Sequence, residues 1–239
     1  AAVDPRNDIA TYNLASALSD AGRVDDAVAW YQRTLALVPE HAQARMNLGV
    51  LTVTKFEAEG ARLSGEGSFA QAVDAYTRVL DLDPARHHAR AARGIARARM
   101  GAWREAAADL SAARGAGVTD VEVANSLAAA LAQLGRERDA VQVLDEALQA
   151  DPPALTVALN LARLLLDASD PSVRDAQRAE ALAVRICDST GNQDPRALET
   201  LAVAYASTGK RALARQAASR GVSAAKGRGD AAEIGKAHV

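Results

Sequence analysis

The sequence is short of several things, and each shortage removes a class of protein. One cysteine, Cys187, rules out an intrachain disulfide framework. Aromatic residues make up 3% of the chain although hydrophobic residues make up 49%, so the apolar content is Ala, Leu and Val. That mixture suits closely spaced helices and carries little β-strand signal. No apolar run approaches the ~18 residues of a membrane span, and no signal peptide is visible. Neither sign of charge dominates: the formal net charge is −2, which gives no overall electrostatic grip on nucleic acid or membrane. No HExxH, CxxC or P-loop pattern occurs, and Gly65-Glu66-Gly67 lacks the strand and third glycine of a dinucleotide fingerprint. His41, His87, His88 and His238 are scattered. No catalytic, metal or cofactor site is expected, and Cys187 reads as a small core residue.

What the chain does have is self-similarity. Residues 121–154 hold Leu127-Ala128, Leu131, Gly135, Ala140, Leu144, Ala147 and Pro152. Apolar residues recur at i, i+3, i+4 and i+7, which predicts two helices, one to about Gln133 and one to about Ala150, with a turn at Gly135. Subtraction gives the period. The turn glycine recurs at Gly22, Gly67, Gly101 and Gly135, in steps of 45, 34 and 34, and the second-helix alanine at Ala27, Ala72, Ala106 and Ala140 in the same steps. The closing proline recurs at Pro5, Pro39, Pro84 and Pro152, with Val118 once in its place. The long step reflects 11 extra residues between Gly49 and Gly67. Eleven residues are close to three helical turns, so TVTKFEAEGARL can lengthen the first helix of that copy, while SGEGS reads as a loop. A lone hairpin of this size cannot bury both faces and needs copies of itself on each side.

The period and the recurring Leu-Ala or Leu-Gly pairs (Leu14-Ala15, Leu48-Gly49, Leu127-Ala128, Leu161-Ala162, Leu201-Ala202), with Tyr31 and Tyr76 in the aromatic slot, resemble the tetratricopeptide repeat family. The slot that is often Trp in that family holds Thr11, Arg45, Arg90, Ala124, Ala158 and Leu198. The resemblance implies an all-α fold, a right-handed superhelical α-solenoid of antiparallel helix pairs over residues 1–239. Its repeats are expected at about 8–41, 42–86, 87–120, 121–154, 155–194 and 195–228, with 229–239 a C-terminal cap or tail. In repeat 1 the helices are expected at 8–20 and 24–37. In repeat 5, Asp170-Pro171 interrupts the chain and the second helix is expected at about 172–188, ending at Thr190-Gly191-Asn192. The opening AAVDP matches the end of a repeat and reads as the interior of a longer chain.

The family binds proteins and peptides, so the resemblance implies a non-enzymatic scaffold whose concave groove, lined by the first helices, holds a partner segment. Slots 2, 5, 6, 9 and 12 of each first helix would point there. Slot 6 holds Asn13, Asn47, Ala92, Ser126, Asn160 and Thr200, and Asn125 sits one place early. A carboxamide donates and accepts at once, matching one peptide unit. Tyr12, Asn13, Asn47, Asn125, Asn160 and Arg163 are therefore the candidate peptide-binding residues. The lysines of a carboxylate clamp are missing from repeats 1–3. Arg86, Arg90, Arg93 and Arg97 form a stripe on one helix, a candidate patch for an anion or an acidic partner. Three options stay open for Arg93 and Arg97: packed stems with heads in water, pairing with acids such as Asp109 or Asp74, or a rotated helix. The rival to the scaffold reading is a spacer or self-association arm of a larger enzyme or membrane protein, with a homo-oligomer as its signature. No small-molecule substrate is indicated, nucleic acid is a weaker alternative tied to the arginines, and the compartment, cytoplasmic or periplasmic, stays open.

Overall fold

The computed structural model describes Asp4 and residues 6–228. Ala1–Val3, Pro5 and residues 229–239 lie outside the described residues, and so do most of the AAVDP motif and the expected C-terminal cap. The described residues form twelve α-helices and no strand. They divide into two compact units, Ala1–Ala102 and Trp103–Val239. The first contains α1 (Asp8–Asp20), α2 (Val24–Leu37), α3 (Ala42–Gly65), α4 (Phe69–Leu82) and α5 (His87–Arg99). The second contains α6 (Trp103–Gly115), α7 (Val121–Gln133), α8 (Glu137–Ala150), α9 (Leu155–Asp167), α10 (Ala176–Ser189), α11 (Pro195–Ser207) and α12 (Arg211–Arg228).

The hairpin turns of repeats 1, 2, 3, 4 and 6 share one local device, a glycine at positive φ (Gly22, Gly67, Gly101, Gly135 and Gly209). After α1 the chain passes through Ala21 to Gly22, whose φ of 72° lies in the left-handed region that glycine enters without a Cβ penalty. Gly22 N–H then bonds to the Ser19 carbonyl at 2.9 Å and Arg23 N–H to the Leu18 carbonyl at 2.9 Å. These two bonds satisfy helix-end carbonyls and reverse the chain. The same closing bond recurs at Ser68 to Leu63, Arg136 to Leu131 and Lys210 to Tyr205, at 2.9, 2.9 and 2.8 Å. The link between repeats is different. Where repeats 1, 2 and 4 close on a proline, Pro39, Pro84 and Pro152, repeat 3 has Gly117 at φ 96° followed by buried Val118.

Packing is serial, as expected of an array. In unit 1, Ala15, Leu18, Ala27, Tyr31 and Ala44 cluster across α1, α2 and α3. A second cluster joins Val53, Leu63, Ala72, Tyr76, Val79 and Ala89 across α3, α4 and α5. In unit 2, Leu159, Ile186, Cys187, Leu198, Leu201 and Ala217 do the same from α9 to α12. The repeat alanines Ala27, Ala72, Ala106 and Ala140 are all 0% exposed, because two helices pass too close there for a larger side chain. In the slot that is often Trp, Thr11 is also 0% exposed, with its hydroxyl donating to the Asp8 carbonyl at 2.9 Å and lying 3.0 Å from the Thr34 hydroxyl. Arg45 and Arg90 hold that slot differently: each folds back to the carbonyl of the preceding closing proline, Pro39 at 2.5 Å and Pro84 at 2.9 Å.

Two expectations about boundaries need correction. The segment SGEGS is not a loop throughout: α3 runs unbroken to Gly65, and only Glu66, Gly67 and Ser68 form the turn. Leu63, 7% exposed, faces the core, and Arg62 bonds Glu66 at 2.7 Å one turn on, so burial and an i,i+4 pair carry the helix past two weak formers. In repeat 5 the second helix begins at Ala176 rather than near 172. Residues 168–175 are instead pinned as a loop. Buried Glu137, the first residue of α8, accepts from Ser169 N–H at 2.8 Å, the Ser169 hydroxyl at 2.6 Å and Asp170 N–H at 2.9 Å. These three donors hold the Glu137 carboxyl below its ordinary range, the Ser169 hydroxyl most of all.

Candidate functional site

Helix spacing decides which side chains share a face. In α1 the residues at positions 4, 8 and 11, Thr11, Ala15 and Leu18, turn inward and are buried, whereas α3 buries Ala44, Val53, Gly60 and Leu63. Between the buried residues of α1, Asn13 is exposed, and Tyr12 and Leu14 are half-buried against the cluster. Tyr12 and Asn13 on α1 and Met46 and Asn47 on α3 are the fifth and sixth residues of their helices.

The structure joins these positions across the repeat. Asn47 Nδ2 donates to the Tyr31 hydroxyl at 3.0 Å and lies 3.4 Å from the Tyr12 hydroxyl. Tyr31 on α2 is 1% exposed, so its hydroxyl needs a partner and Asn47 provides one. Tyr12 is held from the other side by His41, whose ring stacks on it at 4.8 Å between centroids and 21° between planes. His41 in turn caps α3, its Nδ1 accepting from Ala44 N–H at 3.3 Å. The carboxamide nitrogen of Asn47 thus links repeat 2 to repeat 1, and its oxygen remains as an acceptor. Asn13, one turn above Ile9, is exposed.

In unit 2 the asparagines bond to each other. Asn160 Nδ2 donates to Asn125 Oδ1 at 2.9 Å, and Asn125 Nδ2 lies 3.4 Å from the Thr156 hydroxyl. The one-place offset of Asn125 is what brings it within reach of Asn160, 35 residues further on. Arg163, one turn after Asn160, lies 3.8 Å from the Glu199 carboxylate of α11. Asn125 and Asn160 therefore make a short polar ladder, and Arg163 lies beyond it on the next turn of α9.

The arginines of α5 spread their donors over neighbouring groups. Arg86 bonds Asp83 at 2.9 Å and approaches Glu57 at 3.6 Å. Arg90 is committed to the Pro84 carbonyl at 2.9 Å. Arg93 reaches the Thr77 hydroxyl of α4 at 3.2 Å. Arg93 and Arg97 are half-buried, while Ala89, Ala91, Gly94 and Ala96 take the fully buried positions of α5. Asp83 is held below the ordinary carboxylate range, chiefly by its hydrogen bond from Arg86.

His41 and Tyr31 are the two supporting residues that sequence reasoning passed over. The signal was available: His41 directly precedes the first residue of a helix, where an acceptor side chain is favoured. A cleft of about 220 Å³ also opens between α10, α11 and α12, with Leu198, Leu201, Tyr205, Leu213 and Arg220 among its lining. Neither Asn125 nor Asn160 reaches it. Cys187 forms part of its wall at 1% exposure, and burial pushes its thiol up to about 11. Among the described residues no group of three or more His, Cys, Asp and Glu side chains could hold a metal ion, and no helix is long and apolar enough to cross a membrane.

Comparison with known proteins places these observations. The tetratricopeptide repeat family description matches residues 1–42, 12–54 and 91–154. No curated protein matches the sequence. Among solved structures, YrrB, described as a TPR protein with an unusual peptide-binding site, is 15% identical, with a TM-score of 0.59 over 81% of this chain and 91% of its own. MamA is 19% identical, with a TM-score of 0.62 over 79% and 98%. A mutant O-GlcNAc transferase from Thermobaculum terrenum is 18% identical, with a TM-score of 0.53 over 59% of this chain but 26% of its own. At these identities the likeness is one of fold.

Proposed function

The chain belongs to the tetratricopeptide repeat family, and from that premise we propose that it is a non-enzymatic binding module whose first helices hold an extended segment of a partner protein. The observation that carries the reading is the recurrence of a carboxamide on the outward face of α1, α3, α7 and α9, as Asn13, Asn47, Asn125 and Asn160. A carboxamide pairs with both groups of a peptide unit. The Tyr31 and Asn125 contacts fix the orientation of Asn47 and Asn160 before a ligand arrives, which lowers the ordering cost of binding. Tyr12 and Arg163 flank the amides. Structural likeness to YrrB, itself described as peptide-binding, supports this choice of ligand. Arg86, Arg90 and Arg93 spend donors on Asp83, Pro84 and Thr77, so the proposal rests on the asparagines. We propose further that residues 1–239 act as one array, since the 34-residue step runs from Gly67 through Gly101 to Gly135 without a break.

The test is a peptide selected against the full chain from a random display library, measured by calorimetry. Replacing Asn13, Asn47, Asn125 and Asn160 together by Ala should weaken it by at least about tenfold, the loss of one or two net hydrogen bonds. An unchanged affinity removes the asparagines from the site.

A further inference from the structure

Resting on that reading, we infer that the α1–α3 face of unit 1 selects an uncharged segment with aliphatic side chains at alternate positions. The carrying fact is an exposure pattern on α1 and the N-terminal half of α3. Ile9 is 65% exposed, Met46 63% and Val50 55%. Met46 and Val50 lie one turn apart on α3, beside Asn47, and Ile9 lies one turn before Asn13 on α1. At this level the opposite side of α3 is committed to the core, with Ala44 at 0% exposed and Leu48 and Leu51 packed against the α1–α2 cluster. Met46 and Val50 therefore cannot be turned inward by rotating α3 without exposing Ala44, Leu48 and Leu51.

Charge is missing from this face. Counted from the first residue of each helix, positions 2, 5, 6 and 9 of α1 and α3 hold no Asp, Glu, Lys or Arg, in a chain that is 24% charged. The neighbouring charge on α3, Arg45, is turned away to the Pro39 carbonyl and to Glu40. The equivalent positions of unit 2 differ, with Glu122, Arg163, Arg196 and Glu199 among them. A charged ligand residue laid over Met46 and Val50 would lose water and gain no partner, which is costly. An aliphatic one would lose only its own apolar hydration.

The spacing also fits. Met46 and Val50 are separated by a helical rise of about 6 Å, and alternate side chains on one edge of an extended peptide are separated by about 6.5–7 Å. Two aliphatic residues at i and i+2 can sit against them, leaving the peptide units over Asn13 and the free oxygen of Asn47.

The probes are fluorescein-labelled nonapeptides with Leu at three alternate positions among Ser and Gly, and two analogues with those leucines replaced by Glu or by Lys. Anisotropy is read on the full chain. The Leu peptide should bind at least about tenfold tighter than either analogue, and Met46→Ser with Val50→Ser should remove that advantage. Both residues are exposed, so the helical circular dichroism should be unchanged. An analogue that binds as well as the Leu peptide, and is weakened by Asn13→Ala with Asn47→Ala, would overturn the uncharged specificity and leave the module standing. Silence from all three peptides at about 1 mM would overturn both. A dimer in sedimentation that Met46→Ser with Val50→Ser dissolves would assign this face to a second copy of the chain, and the inference would fall.

Discussion

Two glycines in α3 should respond in opposite directions to the same substitution. Gly49 and Gly60 both lie in this 24-residue helix. A Cβ built on Gly49 meets nothing within 4 Å. Alanine there should gain about 0.5–1 kcal/mol, the difference in helix cost between Gly and Ala. A Cβ built on Gly60 would lie 2.8 Å from both Cε1 and Cζ of Tyr76. That ring is 6% exposed and packs in the α3–α4–α5 cluster, so it has little room to withdraw. Overpacking of this kind costs about 1–3 kcal/mol, which outweighs the helix gain. The net expectation for Gly60→Ala is a loss of about 1–2 kcal/mol, and the two variants should differ by about 2–3 kcal/mol. Urea denaturation followed at 222 nm reads the difference directly, and melting should separate the variants by several degrees, at about 2–4 °C per kcal/mol for a chain of this length. The ring is the stated cause. In a Tyr76→Leu background, Gly60→Ala should therefore turn neutral or stabilising. Equal stability of Gly49→Ala and Gly60→Ala in the natural background would refute the close approach.

Other consequences follow from single groups. Glu137→Gln should destabilise the protein at pH 7, because three donors lose an ionised acceptor. The folded carboxyl is more acidic than the unfolded one, so its contribution is complete above the ordinary Glu range near pH 4.3 and fades as pH falls through the lower folded value. The stability gap between the natural protein and Glu137→Gln, measured by urea titration, should accordingly close in acid, and a gap that widens there would contradict the assignment. Cys187, buried and with its thiol pushed up to about 11, should resist iodoacetamide at pH 8 in the folded protein and react on unfolding in urea. Full labelling of the native protein within minutes would show that the α10–α12 packing opens.

Much of this was legible because repeats average out local ambiguity. The boundaries of α1, α2, α7 and α8 follow from the apolar spacing and from Gly22 and Gly135, whose left-handed backbone marks the turn. Where a copy departs from the period, local chemistry had to decide, and sequence gave it the wrong weight. Ser64 and Gly65 look like loop residues, yet Leu63 is held by the core and carries the helix past them. Residues 172–175 look helical, yet the Glu137 carboxylate, supplied by another repeat, holds the preceding backbone in a loop. The position of the asparagines was readable. Their partners were not, since the Tyr31 and Asn47 contact and the Asn125 and Asn160 contact join residues 16 and 35 apart in sequence. The stripe of α5 arginines suggested one surface, whereas the actual donors reach Asp83, Pro84 and Thr77 separately.

The most direct test of the proposed role is a map of where a selected peptide touches the chain. Amide chemical shifts of the ¹⁵N-labelled protein, recorded with and without the peptide, should move on the first helices α1, α3, α7 and α9, around Asn13, Asn47, Asn125 and Asn160. Shifts confined to the second helices α2, α4, α8 and α10, or to the cleft beneath α12, would contradict it.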